Sequence, residues 1–296
     1  MSETTQSWKV GAARVTAVVE AQTDGIPPAF FFPTATNDTI TAHAWLRPHF
    51  AQDGGTISLR VQAFVVETGR RLVVVDPCVG NGRRRESPFW NDQDWPFMER
   101  FRGAGFDPAQ VDLVVYTHLH ADHVGWGTHR VDGRWVPTFP KARYLFVRDE
   151  LDFFRSRRDV EADARAIDED SIAPVFDAGL AELVDARDDL GDGLQLVGTP
   201  GHTPGHASLW LASAGERALL TGDFIHHPVQ CAQPDLAFVS DVDPERAAAT
   251  RLDVLRHLAD EGALTLGTHF PTAPAGRVVA APDGVGAWRF QQAEQA

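Results

Sequence analysis

The sequence has little cysteine, little positive charge and no long apolar run. Cys78 and Cys231 are the only cysteines among 296 residues and lack a CxxC spacing, which favours two reduced thiols, with one bridge as the alternative. The formal net charge of -14 disfavours nucleic acid and anionic membranes as partners, because both are bound by clustered Lys and Arg. No run approaches the roughly eighteen apolar residues of a membrane span, and the N-terminus has no signal-peptide pattern. We therefore expect a cytoplasmic protein without a membrane or nucleic-acid partner.

The composition predicts one large folded unit. Hydrophobic residues make up 43% of the chain, enough for a sizeable core, and no low-complexity linker divides it. We interpret residues 1–296 as a single domain. Residues 1–56 form N-terminal strands and then an aromatic loop, where prolines on both sides of Phe30, Phe31 and Phe32 forbid a regular helix or a central strand. This region is expected to contribute to a substrate pocket or to a homodimer contact.

Turn and cap residues indicate where several elements begin and end. Residues 67–70 predict a hairpin turn between two strands. Residues 148–166 predict one charged surface helix, which caps the domain or meets a second subunit. Asp243 and Pro244 predict the start of a helix whose inward face would carry Ala248, Leu252, Leu255 and Ala259.

A cluster of histidines follows the apolar run at residues 111–116, which reads as a buried strand. His118 and His120 share one face at the end of this strand, because side chains alternate along it. Asp122 and His123 follow where the strand must give way to a turn. Such a density of ligand-type residues predicts a metal site. The alternative is a set of polar residues at a solvated strand end.

The second half of the chain also places polar residues at strand exits. His202 lies between two Pro-Gly turns, Asp223 follows an apolar strand and a glycine, and His269 follows the apolar segment 263–266. A third imidazole beside a His-x-His pair supplies what a tetrahedral zinc site requires. Asp223 could bridge two ions through its two oxygens, or it could be a turn-forming Asp.

The order and spacing of these residues, together with Asp76 at an earlier strand end, resemble the metallo-β-lactamase superfamily. The resemblance implies an α+β fold, the αββα sandwich, in which two mixed β-sheets pack face to face with helices on both outer faces and metals bind at one edge. It also implies the roles of eight residues: His118, His120 and His202 on the first ion, Asp122, His123 and His269 on the second, Asp223 between the ions, and Asp76 holding a ligand imidazole by its other nitrogen.

The resemblance further implies a dinuclear zinc hydrolase. Two cations about 3.5–4 Å apart share a hydroxide that attacks the carbonyl of a lactone or carboxylic ester. Ligands of nitrogen and oxygen type would also accept iron, manganese or cobalt. Residues 222–230 and 269–271 look like the branch containing methyl parathion hydrolase and quorum-quenching lactonases.

Asp122 and His226 are the predicted catalytic residues. Many acyl-homoserine lactonases carry Tyr where this chain has His226. Its imidazole could donate to the developing oxyanion or protonate the leaving alkoxide. A structural histidine beside the site is the alternative.

Aromatic residues near the expected cleft favour a small apolar lactone or ester as substrate. Phe31, Trp90 and Trp126 are the candidate pocket residues, and each could instead belong to the core. Two other activities stay open: phosphotriester hydrolysis at the same site, and an oxidoreductase resembling sulfur dioxygenase with one iron. The complete second ligand set favours hydrolysis.

Overall fold

The computed structural model describes residues 5–282 and 284–294. The first four residues of the predicted N-terminal region and the last two of the chain lie outside this description. That residues 1–296 form one domain stays a prediction.

Two seven-stranded mixed sheets form the centre of the protein. The first sheet has the strand order β1 (Thr5–Val10), β2 (Ala13–Ile26), β3 (Ile57–Glu67), β4 (Leu72–Val75), β5 (Leu113–Val115), β8 (Arg143–Val147) and β9 (Ala181–Val184). The second sheet has the order β10 (Asp189–Gly191), β11 (Leu194–Gly198), β12 (Ala207–Ser213), β13 (Glu216–Leu220), β14 (Leu264–Leu266), β15 (Ala275–Ala280) and β16 (Trp288–Gln292). Strands β6 (Thr128–Val131) and β7 (Arg134–Pro137) form a separate hairpin.

Helices connect and cover the strands. The α-helices are α1 (Asn37–Thr41), α2 (Phe97–Gly103), α3 (Ala121–Val124), α4 (Arg148–Arg157), α5 (Ala162–Ile167), α6 (Ala173–Asp177), α7 (Val229–Ala232) and α8 (Pro244–Glu261). Short 3-10 turns occupy Pro28–Phe30, Ala44–Leu46, Pro108–Gln110, Gly125–Gly127 and Gly222–Phe224, and a π-helical turn, Asp168–Ile172, joins α5 to α6. Among the described helices, none combines the length and apolar character that crossing a bilayer requires.

Strand β5 shows how the layers are built. Leu113 and Val115 point into the apolar core between the two sheets, where they meet residues of the second sheet such as Leu220. Val114 points the other way, into the core beneath α2 and α4, as the two-residue period of a strand requires. A third core lies outside the second sheet, beneath α8 and the segment 27–56. The predicted αββα sandwich of two face-to-face mixed sheets is confirmed.

The predicted turns and helix boundaries agree with the structure at some positions and not at others. The hairpin at residues 67–70 is confirmed, since β3 and β4 pair in antiparallel fashion. The single helix predicted for residues 148–166 is wrong, because residues 158–161 separate α4 from α5. Helix α8 begins at Pro244, and the Asp243 side chain accepts the amide N–H of Arg246.

The inward face predicted for α8 is confirmed at Leu255, which is buried, but wrong at Leu252. Leu252 is 39% exposed, and the residues that α8 buries are Ala247, Arg251, Leu255 and Leu258. The prediction used only the apolar residues of the helix. It therefore placed part of the buried face at the wrong positions, because the charged residue Arg251 lies at the centre of the face that is actually buried.

Candidate metal centre

The histidine cluster begins where the central strand β5 ends. Thr117 follows this strand, and its amide and hydroxyl donate to the two carboxylate oxygens of Asp76 at 2.8 and 2.7 Å. Asp122 and His123 lie in a one-turn helix, α3, rather than in the predicted turn. The strand end and this short helix together aim several side chains at one region.

Three imidazoles form the first group of candidate ligands. His118, His120 and His202 each offer a ring nitrogen, and these atoms lie within 4.8 Å of one another. The loop that carries His202 packs closely against α8, since a Cβ added at Gly201 would lie 2.3 Å from the Ala247 nitrogen. Only glycine permits this approach, which brings the second half of the chain to the histidines of the first.

The second group combines a carboxylate with two imidazoles. Ligand atoms of Asp122, His123 and His269 also lie within 4.8 Å of one another. The Nδ1 atom of His269 lies 2.8 Å from the carbonyl oxygen of Arg60. Because a carbonyl only accepts, Nδ1 carries the hydrogen, and Nε2 keeps its lone pair for a ligand.

Asp223 lies between the two groups. Its Oδ2 atom is 3.8 Å from His118 Nε2, 3.6 Å from His202 Nε2 and 3.2 Å from His269 Nε2. The Asp223 amide donates to His206 Nε2 at 2.8 Å, which fixes the backbone at this position. The arrangement suits a carboxylate that bridges two cations.

Asp76 lies behind the second group, where the resemblance places it. Its Oδ2 atom is 3.0 Å from His123 Nδ1. A carboxylate in this position orients an imidazole and raises its basicity toward a metal.

The electrostatics of the two groups differ. Burial lowers the pKa values of His118 and His202 well below the ordinary histidine value, so both rings are neutral and can act as ligands. Burial also opposes protonation of His123, but the carboxylates of Asp223, Asp122 and Asp76 outweigh it and raise its pKa. The second group therefore has an excess of negative charge that favours a cation.

Unpartnered polar atoms allow a test of whether cations fit. The Nε2 atoms of His118 and His123 and the Oδ1 atom of Asp223 are buried without a hydrogen-bond partner. Buried polar atoms in proteins almost always have a partner. Since these atoms are all potential ligands at one point, the residues present fit a pair of divalent cations bound by nitrogen and oxygen.

A large cleft opens onto this centre. It has a volume of about 1310 Å³, and His120, Asp122 and His269 lie in its wall. Of the predicted pocket residues, Phe31 and Trp90 line it.

Trp126 does not line the cleft, and its assignment to the substrate pocket is corrected. Its ring stacks on Phe97 in the core with centroids 5.7 Å apart. Its indole N–H donates to Glu20 Oε1 at 2.6 Å. A buried tryptophan requires such an acceptor, and here the acceptor is a carboxylate on β2.

His226 lies beneath the cleft wall and is 1% exposed. Its Nε2 atom is 3.2 Å from Asp223 Oδ2. Its ring stacks on Phe238, with centroids 3.5 Å apart and an interplanar angle of 6°. The structure thus brings His226 to Asp223, the candidate bridging carboxylate.

Sequence reasoning missed Asp241, a carboxylate that contacts a candidate ligand directly. Asp241 Oδ1 lies 3.0 Å from His202 Nδ1. Asp241 follows no strand and has no characteristic spacing from the other ligands, so no sequence signal indicated it. It also missed Glu150, which accepts the amide N–H of Leu119 and the hydroxyl of Thr203.

Sequence comparison finds similarity to N-acyl homoserine lactonases. The chain is 34% identical to the N-acyl homoserine lactonase AttM of Rhizobium radiobacter over 165 residues. That alignment covers 53% of this chain and 57% of the relative, so the chain spans little more than half of it. The AttM protein of Rhizobium johnstonii is 31% identical over 201 residues, with 62% and 69% coverage.

Two solved structures share the fold over 99% of both chains. They are a hydrolase of the beta lactamase superfamily, AbOPH, with a TM-score of 0.82 and 24% identity, and the dizinc quorum-quenching lactonase AidC, with 0.79 and 18%. The sequence model of the Metallo-beta-lactamase superfamily matches residues 58–269. Because this match runs from β3 to His269 and includes all seven predicted ligands, the chain belongs to the metallo-beta-lactamase superfamily, as its motifs predicted.

Proposed function

We propose that this protein is a dinuclear zinc hydrolase that opens lactones or cleaves carboxylic esters. The observation that carries the proposal is the convergence of seven ligand-type side chains at the foot of an apolar cleft. The similarity to N-acyl homoserine lactonases supports a lactone as the substrate class. Iron, manganese or cobalt would suit the same donors.

We divide the proposed ligands between the two cations as the family resemblance implies. His118, His120 and His202 would hold one cation, Asp122, His123 and His269 the other, and Asp223 would contact both. When bound, the two cations would lower the pKa of a shared water molecule and polarise the electrophile's oxygen.

We assign Asp122 to proton transfer as well as to metal binding. It lines the cleft, and its Oδ2 atom is 3.7 Å from His269 Nε2. A carboxylate at this point can carry a proton to the departing alcohol oxygen at the cleft side of the centre.

His226 is assigned a contribution through Asp223 rather than through the substrate. The ring is buried, is held flat against Phe238, and points Nε2 at the Asp223 carboxylate. The cleft wall does not include His226. This placement favours orientation of the bridging carboxylate over donation to a substrate oxygen.

The cleft favours an apolar acyl or aryl substrate. Phe30, Phe31, Trp90 and Phe238 lie in its wall, and aromatic walls bind apolar groups through buried area. Lactone and ester carbonyls would reach the centre past these rings.

Two alternatives rank below lactone and ester hydrolysis. Phosphotriester hydrolysis would use the same centre, and no feature of the cleft selects for it. An iron oxidoreductase with one metal would leave the ligand atoms of Asp122 and His269 without a cation. Location in the cytoplasm and assembly as a homodimer stay predictions.

The test is turnover of lactones, aryl esters and a phosphotriester by the zinc-loaded protein. His120→Ala should abolish activity, whereas His129→Ala, on the β6–β7 hairpin outside the cleft, should not. Metal analysis should give two zinc per chain. Equal turnover by His120→Ala, or one iron with oxygen uptake on a persulfide, would reject the proposal.

A further inference from the structure

We propose that Asp241 and Arg251 form a buried positioning pair, which orients His202 toward the first cation and fixes Phe238 in the cleft wall. The inference rests on the proposed function only in taking His202 as a metal ligand. Neither Asp241 nor Arg251 belongs to the motifs that identify the family in this sequence.

Asp241 contacts the candidate ligand His202 and the cleft-wall residue Phe238 with separate carboxylate oxygens. Its Oδ1 atom is 3.0 Å from His202 Nδ1, and its Oδ2 atom accepts the amide N–H of Phe238 at 2.9 Å. The side chain is fully buried. Since a carboxylate only accepts, the hydrogen of His202 lies on Nδ1, and Nε2 is left with a lone pair facing His120 Nδ1, 3.0 Å away.

Arg251 supplies the countercharge and anchors the loop. It comes from the buried face of α8, and its Nη2 atom is 3.5 Å from Asp241 Oδ2. Its other nitrogens donate to three backbone carbonyls, those of Phe224, Pro234 and Leu236, at 2.9, 2.7 and 3.2 Å. Arg251 therefore ties the loop that carries Asp241 to the backbone beside Asp223.

Phe238 connects this pair to the substrate cleft. Its ring stacks on Phe31, with centroids 5.4 Å apart and an interplanar angle of 9°, and on His226. The neighbouring Val239 amide donates to the Phe31 carbonyl oxygen at 2.8 Å. A displacement of Asp241 would thus move both a metal ligand and a wall of the cleft.

We expect a selective loss of metal affinity at the site proposed for the first cation. Outer carboxylates that hold ligand imidazoles typically contribute about 10–100-fold to metal affinity. Asp241→Asn keeps only one acceptor oxygen, so it cannot accept from both His202 Nδ1–H and the Phe238 amide, and it removes the negative charge that faces His202. It also leaves the charge of Arg251 buried without its partner. The second cation would be held by Asp122, His123 and His269, and among the described hydrogen bonds none joins these residues to Asp241 or Arg251.

The experiment measures the affinity of each site by chelator competition with cobalt, whose absorption spectrum reports its ligands. Asp241→Asn should weaken one of the two cobalt equivalents 10–100-fold, leave the other unchanged and raise KM for an apolar ester. Arg251→Lys keeps the charge but loses the fork of hydrogen bonds, so we expect a smaller loss in the same direction. Asp243→Ala is the matched control, because it removes a helix cap two residues away and should lower stability without changing either affinity.

Unchanged affinity in Asp241→Asn, or equal weakening of both sites, overturns the inference. If Asp241→Asn yields no folded protein, Arg251→Lys decides, and wild-type affinity at the first site then overturns it. Two cobalt equivalents without turnover of any substrate would reject the proposed hydrolase, while the affinity comparison still tests the positioning pair. Failure of the wild-type protein to bind metal would reject both.

Discussion

His227, immediately after His226, should make stability depend on pH. Its Nε2–H donates to the Phe50 carbonyl oxygen at 2.9 Å, and its Nδ1 accepts the Val229 amide at 3.1 Å. Both bonds require the neutral ring, because a protonated Nδ1 would face another donor. Burial is the largest cause that lowers the pKa of His227, to about 4, against an opposing contribution from the bond with Phe50.

The size of the effect follows from linkage. The His227 pKa is about 4 in the folded protein and 6.5 in a model peptide. A gap of about 2.5 pH units at ~1.4 kcal/mol each corresponds to about 3.5 kcal/mol. Because the folded-state pKa is depressed, this stability is present above pH 6.5 and is lost as the pH falls toward 4. About 2 kcal/mol should be gone at pH 5.

The assay compares urea denaturation of the wild-type protein and His227→Gln between pH 7.5 and 5. Gln can still donate to the Phe50 carbonyl but does not titrate, so groups common to both proteins cancel in the difference. The stability advantage of the wild-type protein should shrink by about 2 kcal/mol over this range. A difference that stays constant with pH would refute the reasoning.

Two further predictions concern the centre and the cleft. Asp76 has a φ of +49°, a left-handed conformation that Asn tolerates, so Asp76→Asn should keep the turn while lowering affinity for the second cation about 10–100-fold. Competition with a chelator measures this, and two tight equivalents in the variant would contradict it. Trp90→Leu should raise KM for an aryl ester with little change in stability, whereas Trp126→Phe should lower stability by about 1–3 kcal/mol through the lost bond to Glu20 and leave KM unchanged. Steady-state kinetics and thermal melts separate the two, and a raised KM in Trp126→Phe would return that residue to the pocket.

The sequence predicted the parts of the site that follow from local pattern. His118 and His120 could be placed together because they alternate along a strand end, and Asp223 and His269 follow strands of the second sheet that neighbour each other. The sequence pattern could not show which of Trp90 and Trp126 lines the cleft and which lies in the core. Both lie in loop-rich stretches, and only the packing of Trp126 on Phe97 decides which of them belongs to the core.

The burial of Arg251 could not be predicted from the sequence. Its side chain sits in the middle of the buried face of α8, where an apolar pattern predicts no charge. The reason is tertiary: its partners lie 10 to 27 positions away in the chain, in loops with no recognisable periodicity.

Three of the candidate ligands, His118, His202 and His269, are oriented by the same kind of hydrogen bond. His118 Nδ1 lies 3.1 Å from the Thr117 hydroxyl, whose own hydrogen is given to Asp76, so the imidazole must donate there. His202 donates to Asp241, and His269 donates to the Arg60 carbonyl. In each ring Nδ1 is occupied and Nε2 is left for the centre.

These acceptors come from separate parts of the fold. Asp76 follows β4 and Arg60 lies within β3, both strands of the first sheet, whereas Asp241 lies in the loop before α8. His269 follows β14 of the second sheet, so a relative shift of the two sheets would disturb its bond to Arg60 in the first sheet. The packed sheets therefore fix the directions of the His118 and His269 rings, whereas the loop that carries Asp241 fixes that of His202.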